Sequence, residues 1–124
     1  MLILKWVWNR QRFKMCGRFM LISFGTEVAS AFEAEQTGEF AKRYNIAPTE
    51  DIVAVVKLDP EPRRLMLKLG WGLVPFWAKA RSIEARPITA LSETLAEIPS
   101  FGNPFSSRRA LIPCNGFYEW DKTT

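Results

Sequence analysis

Hydrophobic and polar positions change rhythm repeatedly along this 124-residue chain, and the changes predict its elements. Gly17 to Ser23 is a compact apolar run of strand length. Thr26 then offers an N-cap to a short helix from Glu27 to Ala34, whose acidic first turn suits the helix dipole, with Gly38 ending it. Arg43 to Thr49 reads as an extended loop. Asp51 to Leu58 follows as a buried strand carrying Ile52, Val53, Val55 and Val56. The turn residues Asp59-Pro60-Glu61-Pro62 precede Arg64 to Leu69, the returning strand of a hairpin. Trp71 to Lys79 is too rich in glycine, proline and tryptophan for regular structure, and Trp71 is expected in the core. A short helix is predicted from Ser92 to Glu97 with Ser92 as its cap. Arg108–Pro113 and Phe117–Trp120 read as two strands meeting at Asn115-Gly116, a type I′ hairpin signal. The sum is one β-rich α+β domain with short helices and no internal repeat.

Charge changes this picture at one end. Of the 17 lysines and arginines, four lie in residues 1–14, which contain no acid; the remaining 13 balance the 13 acidic residues. The formal net charge of +4 is therefore a property of the extension and not of the domain. The extension is unlike a secretory signal, because its charges follow the apolar run and no small-residue cleavage site appears. It is read as an N-terminal extension that is not native, with a basic, tryptophan-containing arm for nucleic acid or membrane as the competing idea. No stretch is long enough to span a bilayer. Two cysteines, Cys16 and Cys114, without any histidine exclude the usual zinc spacings and make a disulfide framework a poor fit, which suits a reducing cytoplasm. Catalysis would then fall to carboxylate, thiol or amine.

The chemistry centres on Met15-Cys16-Gly17-Arg18-Phe19. Were translation to begin at Met15 and that residue to be trimmed, Cys16 would carry a free α-amine beside its thiol. An aldehyde captured by the amine as a Schiff base can be attacked by the neighbouring sulfur, closing a thiazolidine ring with the advantage of an intramolecular step. An ordinary buried cysteine is the plainer reading of the residue taken alone.

Five segments in order carry a resemblance: Met15 to Phe19, Arg43 to Thr49, Trp71 to Trp77, Ser92-Glu93-Thr94, and Arg108-Arg109 leading to Ile112-Pro113-Cys114-Asn115-Gly116-Phe117-Tyr118-Glu119-Trp120. Together they resemble the SOS-response-associated peptidase (SRAP) family, whose members recognise abasic sites in single-stranded DNA and cross-link to them through an N-terminal cysteine. The resemblance implies the N-terminal part of an SRAP domain over residues 15–124, C-terminally truncated, with residues 1–14 outside it. It implies that Cys16 is the nucleophile and Glu119 a proton-shuttling carboxylate. Arg18 matches an arginine that holds a phosphate, and Asn45 an asparagine that orders the site. Pro75, Phe76 and Trp77 match a wedge against exposed bases.

Two departures stand out. Where the family has an active-site asparagine and a DNA-contacting arginine, this chain has Thr89 and Leu91. Thr89 lacks the paired donor and acceptor of an amide, and Leu91 cannot hold a phosphate; Arg86, five positions earlier, is the candidate to replace that contact in part. The family's histidine lies beyond the matched region. The resemblance thus implies abasic-site processing in the DNA damage (SOS) response by a cytoplasmic protein, monomeric if complete, with single-stranded DNA as partner and neither cofactor, metal nor membrane. Two alternatives stay open: a cysteine peptidase that removes its own leader ahead of Cys16, and an inactive remnant or binding module.

Overall fold

The computed structural model describes residues 17–60, 62–78 and 87–120. Among these, seven strands and two helices follow in the order β1 (Arg18–Leu21), α1 (Gly25–Ala31), β2 (Ala34–Gln36), β3 (Arg43–Ile46), β4 (Asp51–Lys57), β5 (Arg64–Gly70), α2 (Pro99–Ser107), β6 (Ala110–Leu111) and β7 (Gly116–Tyr118). They form two sheets, ordered β3-β1-β7 and β2-β5-β4-β6. The α+β, strand-rich class expected from the sequence is the class observed.

The β4–β5 hairpin runs in unbroken register from Asp51 opposite Gly70 to Lys57 opposite Arg64. Its apolar run gives Ile52, Ala54, Val55 and Met66 to the interior. Ile52, Val55 and Met66 join Phe19 and Leu21 of β1, Ile46 of β3, Val28 of α1 and Trp71 in one core. Trp71 is buried as expected, its ring edge-on to Phe19 with centroids 5.3 Å apart. The indole N–H donates to the Ile88 carbonyl at 3.0 Å, satisfying the one polar atom that burial would otherwise strand. A smaller cluster of Leu73, Leu95 and Phe101 anchors α2.

Five sequence expectations are corrected. Helix α1 begins one residue before Thr26, and Phe24 is its N-cap; the cap bond runs backwards, from the Phe24 N–H to the Glu27 carboxylate at 2.8 Å. The helix ends at Ala31 rather than Ala34, because Glu33 takes a left-handed φ of 50° and turns Ala34–Gln36 into β2, parallel to β5. Gly38 lies beyond that strand and ends no helix. Arg43–Ile46 is a strand rather than a loop, paired antiparallel with β1. Residues 92–97 form successive turns, and the helix lies further on, at Pro99–Ser107, with Pro99 in its first turn.

The last correction matters most for the site. Asn115-Gly116 makes no hairpin: β6 pairs with β4 in one sheet, and β7 pairs with β1 in the other. The Asn115 side chain is used for tertiary bonding instead. Its Oδ1 accepts from the N–H groups of Ile22 at 2.7 Å and Ser23 at 3.1 Å. Its Nδ2 donates to Ser23 Oγ at 2.9 Å, and its own N–H donates to the Met20 carbonyl at 2.9 Å. Two core-facing positions on these last strands stay open: Leu111, opposite buried Val55, is 55% exposed, and Phe117, opposite buried Phe19, is 54% exposed.

Replacing Asn115 with alanine removes three side-chain hydrogen bonds that join β1 to the chain entering β7. At about 1 kcal/mol for a typical bond, Asn115→Ala is expected to cost roughly 2–3 kcal/mol, read from denaturant midpoints at unchanged m-value.

Candidate functional site

The β1 strand delivers the site. Its first residue, Arg18, sits between β3 and β7, opposite Tyr118. The guanidinium donates to Asn45 Oδ1 at 3.0 Å, so the two residues singled out in separate sequence segments meet across the β1–β3 pair. On the other side Tyr118 donates its hydroxyl to the Tyr44 carbonyl at 2.7 Å, tying β7 to β3 over the end of β1. Carried one residue further, the β1–β7 register sets exposed Glu119 across from Gly17. Cys16 precedes that glycine in sequence and lies outside the described residues, as do residues 1–14 and Arg86.

Thr89 follows a segment that is anchored to the core. The Ile88 carbonyl is held by the Trp71 indole, Pro87 accepts from the Leu73 N–H at 3.0 Å, and Trp71 packs on Phe19, the neighbour of Arg18. Thr89 is half-buried, and Leu91 is exposed. Phe76 and Trp77 stand out in solvent, 83% and 52% exposed, with rings edge-to-face at 4.8 Å. Pro75 beside them is half-buried. Arg18, Asn45 and Glu119 are thus gathered at one end of the β3-β1-β7 sheet. Phe76 and Trp77 form a separate exposed aromatic pair.

Reasoning from sequence missed Tyr118, Asn115 and Glu50. Glu50 follows the Ala47-Pro48-Thr49 bend, where Thr49 takes φ 76°. Its carboxylate accepts from the Ala47 N–H at 2.9 Å and pairs with Arg43. The Glu50 carboxyl is held below its ordinary value, first by the Ala47 N–H; burial opposes this, and the charges of Arg43 and Arg18 add to it. Arg18 thereby faces both an amide oxygen and a carboxylate field. The signal for Tyr118 was its alternation with Phe117, which puts it on the Arg18 face of β7.

Residues 15–124 match the model of the SOS response associated peptidase (SRAP) family. The chain belongs to the SRAP family. It is 41% identical over 111 residues to the abasic site processing protein YoaM of Bacillus subtilis strain 168, covering 87% of this chain and 48% of that protein. It is 42% identical over 111 residues to the abasic site processing protein YoqW of Bacillus phage SPbeta, with 87% and 49% covered. A more distant relative is the abasic site processing protein HMCES of Mus musculus, 33% identical over 63 residues, covering 48% of this chain and 18% of that protein. The chain spans about half the length of the bacterial and phage relatives it matches. Among the described residues no helix is long and apolar enough to cross a membrane.

The lowered Glu50 value fixes a sign. A carboxyl with a depressed folded-state value contributes stability that is present above its ordinary value and lost as pH falls through the folded one. In Glu50→Gln that contribution is absent, so the stability gap between wild type and variant is expected to close as pH is lowered from neutrality to ~3, followed by denaturant unfolding at each pH. A constant gap would show that the Ala47 and Arg43 contacts do not act through the charge.

Proposed function

We propose that this SRAP chain processes abasic sites in single-stranded DNA by covalent capture through Cys16. The α-amine of Cys16, freed by removal of Met15, adds to the C1′ aldehyde of the open sugar and loses water to give an imine. The thiol then adds its sulfur to the imine carbon and its proton to the nitrogen, closing a thiazolidine with no oxidant or reductant required. Glu119 takes and returns the protons of carbinolamine formation and collapse. Arg18, oriented by Asn45, holds a phosphate next to the lesion through charge-assisted hydrogen bonds. Phe76 and Trp77, with Pro75, offer apolar surface to the flanking bases.

The observation that carries this reading is the meeting of Arg18 with Asn45 on one flank of β1 and with the Tyr118–Glu119 segment on the other. Four motif residues from three distant segments share the strand end to which Cys16 is joined by a single glycine. The names of the relatives supply the substrate class.

A chain beginning at Cys16 is expected to form an adduct with an abasic single strand that survives a denaturing gel. The 124-residue chain retaining its extension is not, because its Cys16 nitrogen is an amide, whereas a free α-amine with pKa near ~8 is partly unprotonated at neutral pH. In the chain beginning at Cys16, Glu119→Gln is expected to slow adduct formation about 100-fold, at the lower end of general acid–base contributions. Equal cross-linking by the extended form would sink the mechanism.

Thr89 bears on how fast the reaction runs. Thr89→Asn restores an amide that can both donate and accept beside the sugar, and it is expected to raise the single-turnover adduct rate without changing affinity for undamaged strand. An unchanged rate would favour the non-catalytic reading of this copy.

A further inference from the structure

The register of the β2-β5-β4-β6 sheet brings together three residues that no role above uses. Lys57 on β4 lies directly opposite Arg64 on β5. Pairing of Val56 with Ala110 then sets Arg109 beside Lys57 on the other flank, one step past the end of β6. Three exposed cations thus form a row across three neighbouring chain segments, spanning two strand gaps or about 10 Å. The row shares a face with the apolar tier Met66, Val55 and Leu111. The three cations, with Phe32, Val55, Leu111 and Ile112, line an open cavity of about 470 Å³.

Like charges directly opposed in a sheet repel, so the row needs a reason. Arg64 is partly answered, donating to the Phe32 carbonyl at 2.8 Å and lying 3.5 Å from the exposed Glu33 carboxylate. The side chains of Lys57 and Arg109 have no hydrogen bond or ion pair among the described residues. Protection of the sheet edge would account for a cation flanking β6, but not for its continuation onto β4 and β5, which are interior strands. The domain carries no general positive charge either, since residues 15–124 balance to zero. The cations are concentrated where an apolar floor, including half-exposed Leu111, lies next to them.

We infer that the Arg64–Lys57–Arg109 row is a second binding site for the phosphate backbone of single-stranded DNA, with exposed Leu111 and the neighbouring Phe32 and Ile112 receiving unpaired bases. A duplex keeps its bases stacked inside and gains nothing from that floor; a single strand uses both parts of the groove. The inference rests on DNA being the ligand of this chain, and it is independent of the Cys16 chemistry.

The test uses the 124-residue chain and an undamaged oligothymidine, so no covalent step intervenes. The double variant Lys57→Gln, Arg109→Gln is expected to flatten the dependence of log affinity on log salt by about 1.4, since each single-strand phosphate contact contributes about 0.7. Affinity at low salt should fall at least tenfold, while binding of a duplex of equal length changes less. As a measurement needing no variant, the oligothymidine should protect Lys57 of the wild-type chain from acetylation, read by mass spectrometry, more strongly than Lys42. An unchanged salt slope, an unprotected Lys57, or no binding of the undamaged strand would each overturn the second site. Adduct formation by the chain beginning at Cys16 would stand or fall separately.

Discussion

One side-chain amide holds the two ends of the described chain together. Asn115 satisfies the backbone N–H groups of Ile22 and Ser23, just where β1 ends, while its own N–H completes a bond to Met20. Without that junction β7, three residues long, would have little to fix its register on β1. The consequence runs down the strand: Phe19 faces Phe117, Arg18 faces Tyr118, and Glu119 falls level with Gly17. A slip of one residue would turn Tyr118 to the core side and Phe117 toward Arg18. The candidate chemistry therefore depends on a hydrogen-bonding group four residues before Glu119, since a strand rise of about 3.3 Å per residue converts its position into theirs.

Much of the fold was legible where sequence pattern and tertiary demand agree. The β4–β5 hairpin combines β-branched alternation with a proline-rich turn, and it forms where expected. The errors fall where local signals were outvoted. Asn115-Gly116 has the composition of a two-residue hairpin loop, yet its neighbours join different sheets, because the side chain gains more from capping the end of β1 than from closing a local turn. Arg43–Ile46 looked like a loop because Tyr44 and Asn45 are polar or half-polar and exposed; pairing with β1 supplied the order that composition did not advertise. Helix α2 was hidden by Gly102 and Pro104, poor helix formers that packing of Phe101 against Leu73 and Leu95 overrides.

The site was legible as a set of residues but not as a geometry. Motifs brought Arg18, Asn45 and Glu119 forward, and the sheet explains their spacing: three strands, consecutive in space and far apart in sequence, present them at one end. Trp71 was correctly assigned to the core, yet its role extends further, since its indole N–H holds the segment that carries Thr89. Tyr118 and Glu50 passed unnoticed because neither chemistry nor composition marks them. They matter through what they touch, the Tyr44 carbonyl and the Ala47 N–H, and such contacts have no signature in a linear chain.

The separation of Asn115 from Ile22 by 93 residues also orders events in time. The β4–β5 hairpin closes a short loop and can form early, whereas β1 and β7 must close nearly the whole described chain before their contacts give any return. The surroundings of Arg18 and Glu119 consequently carry the larger loop-closure cost. A nascent or partly opened chain can contain the hairpin and its core without possessing that strand end. Competence at the site is in this sense a proofread property, granted only to molecules in which both ends of the fold have met.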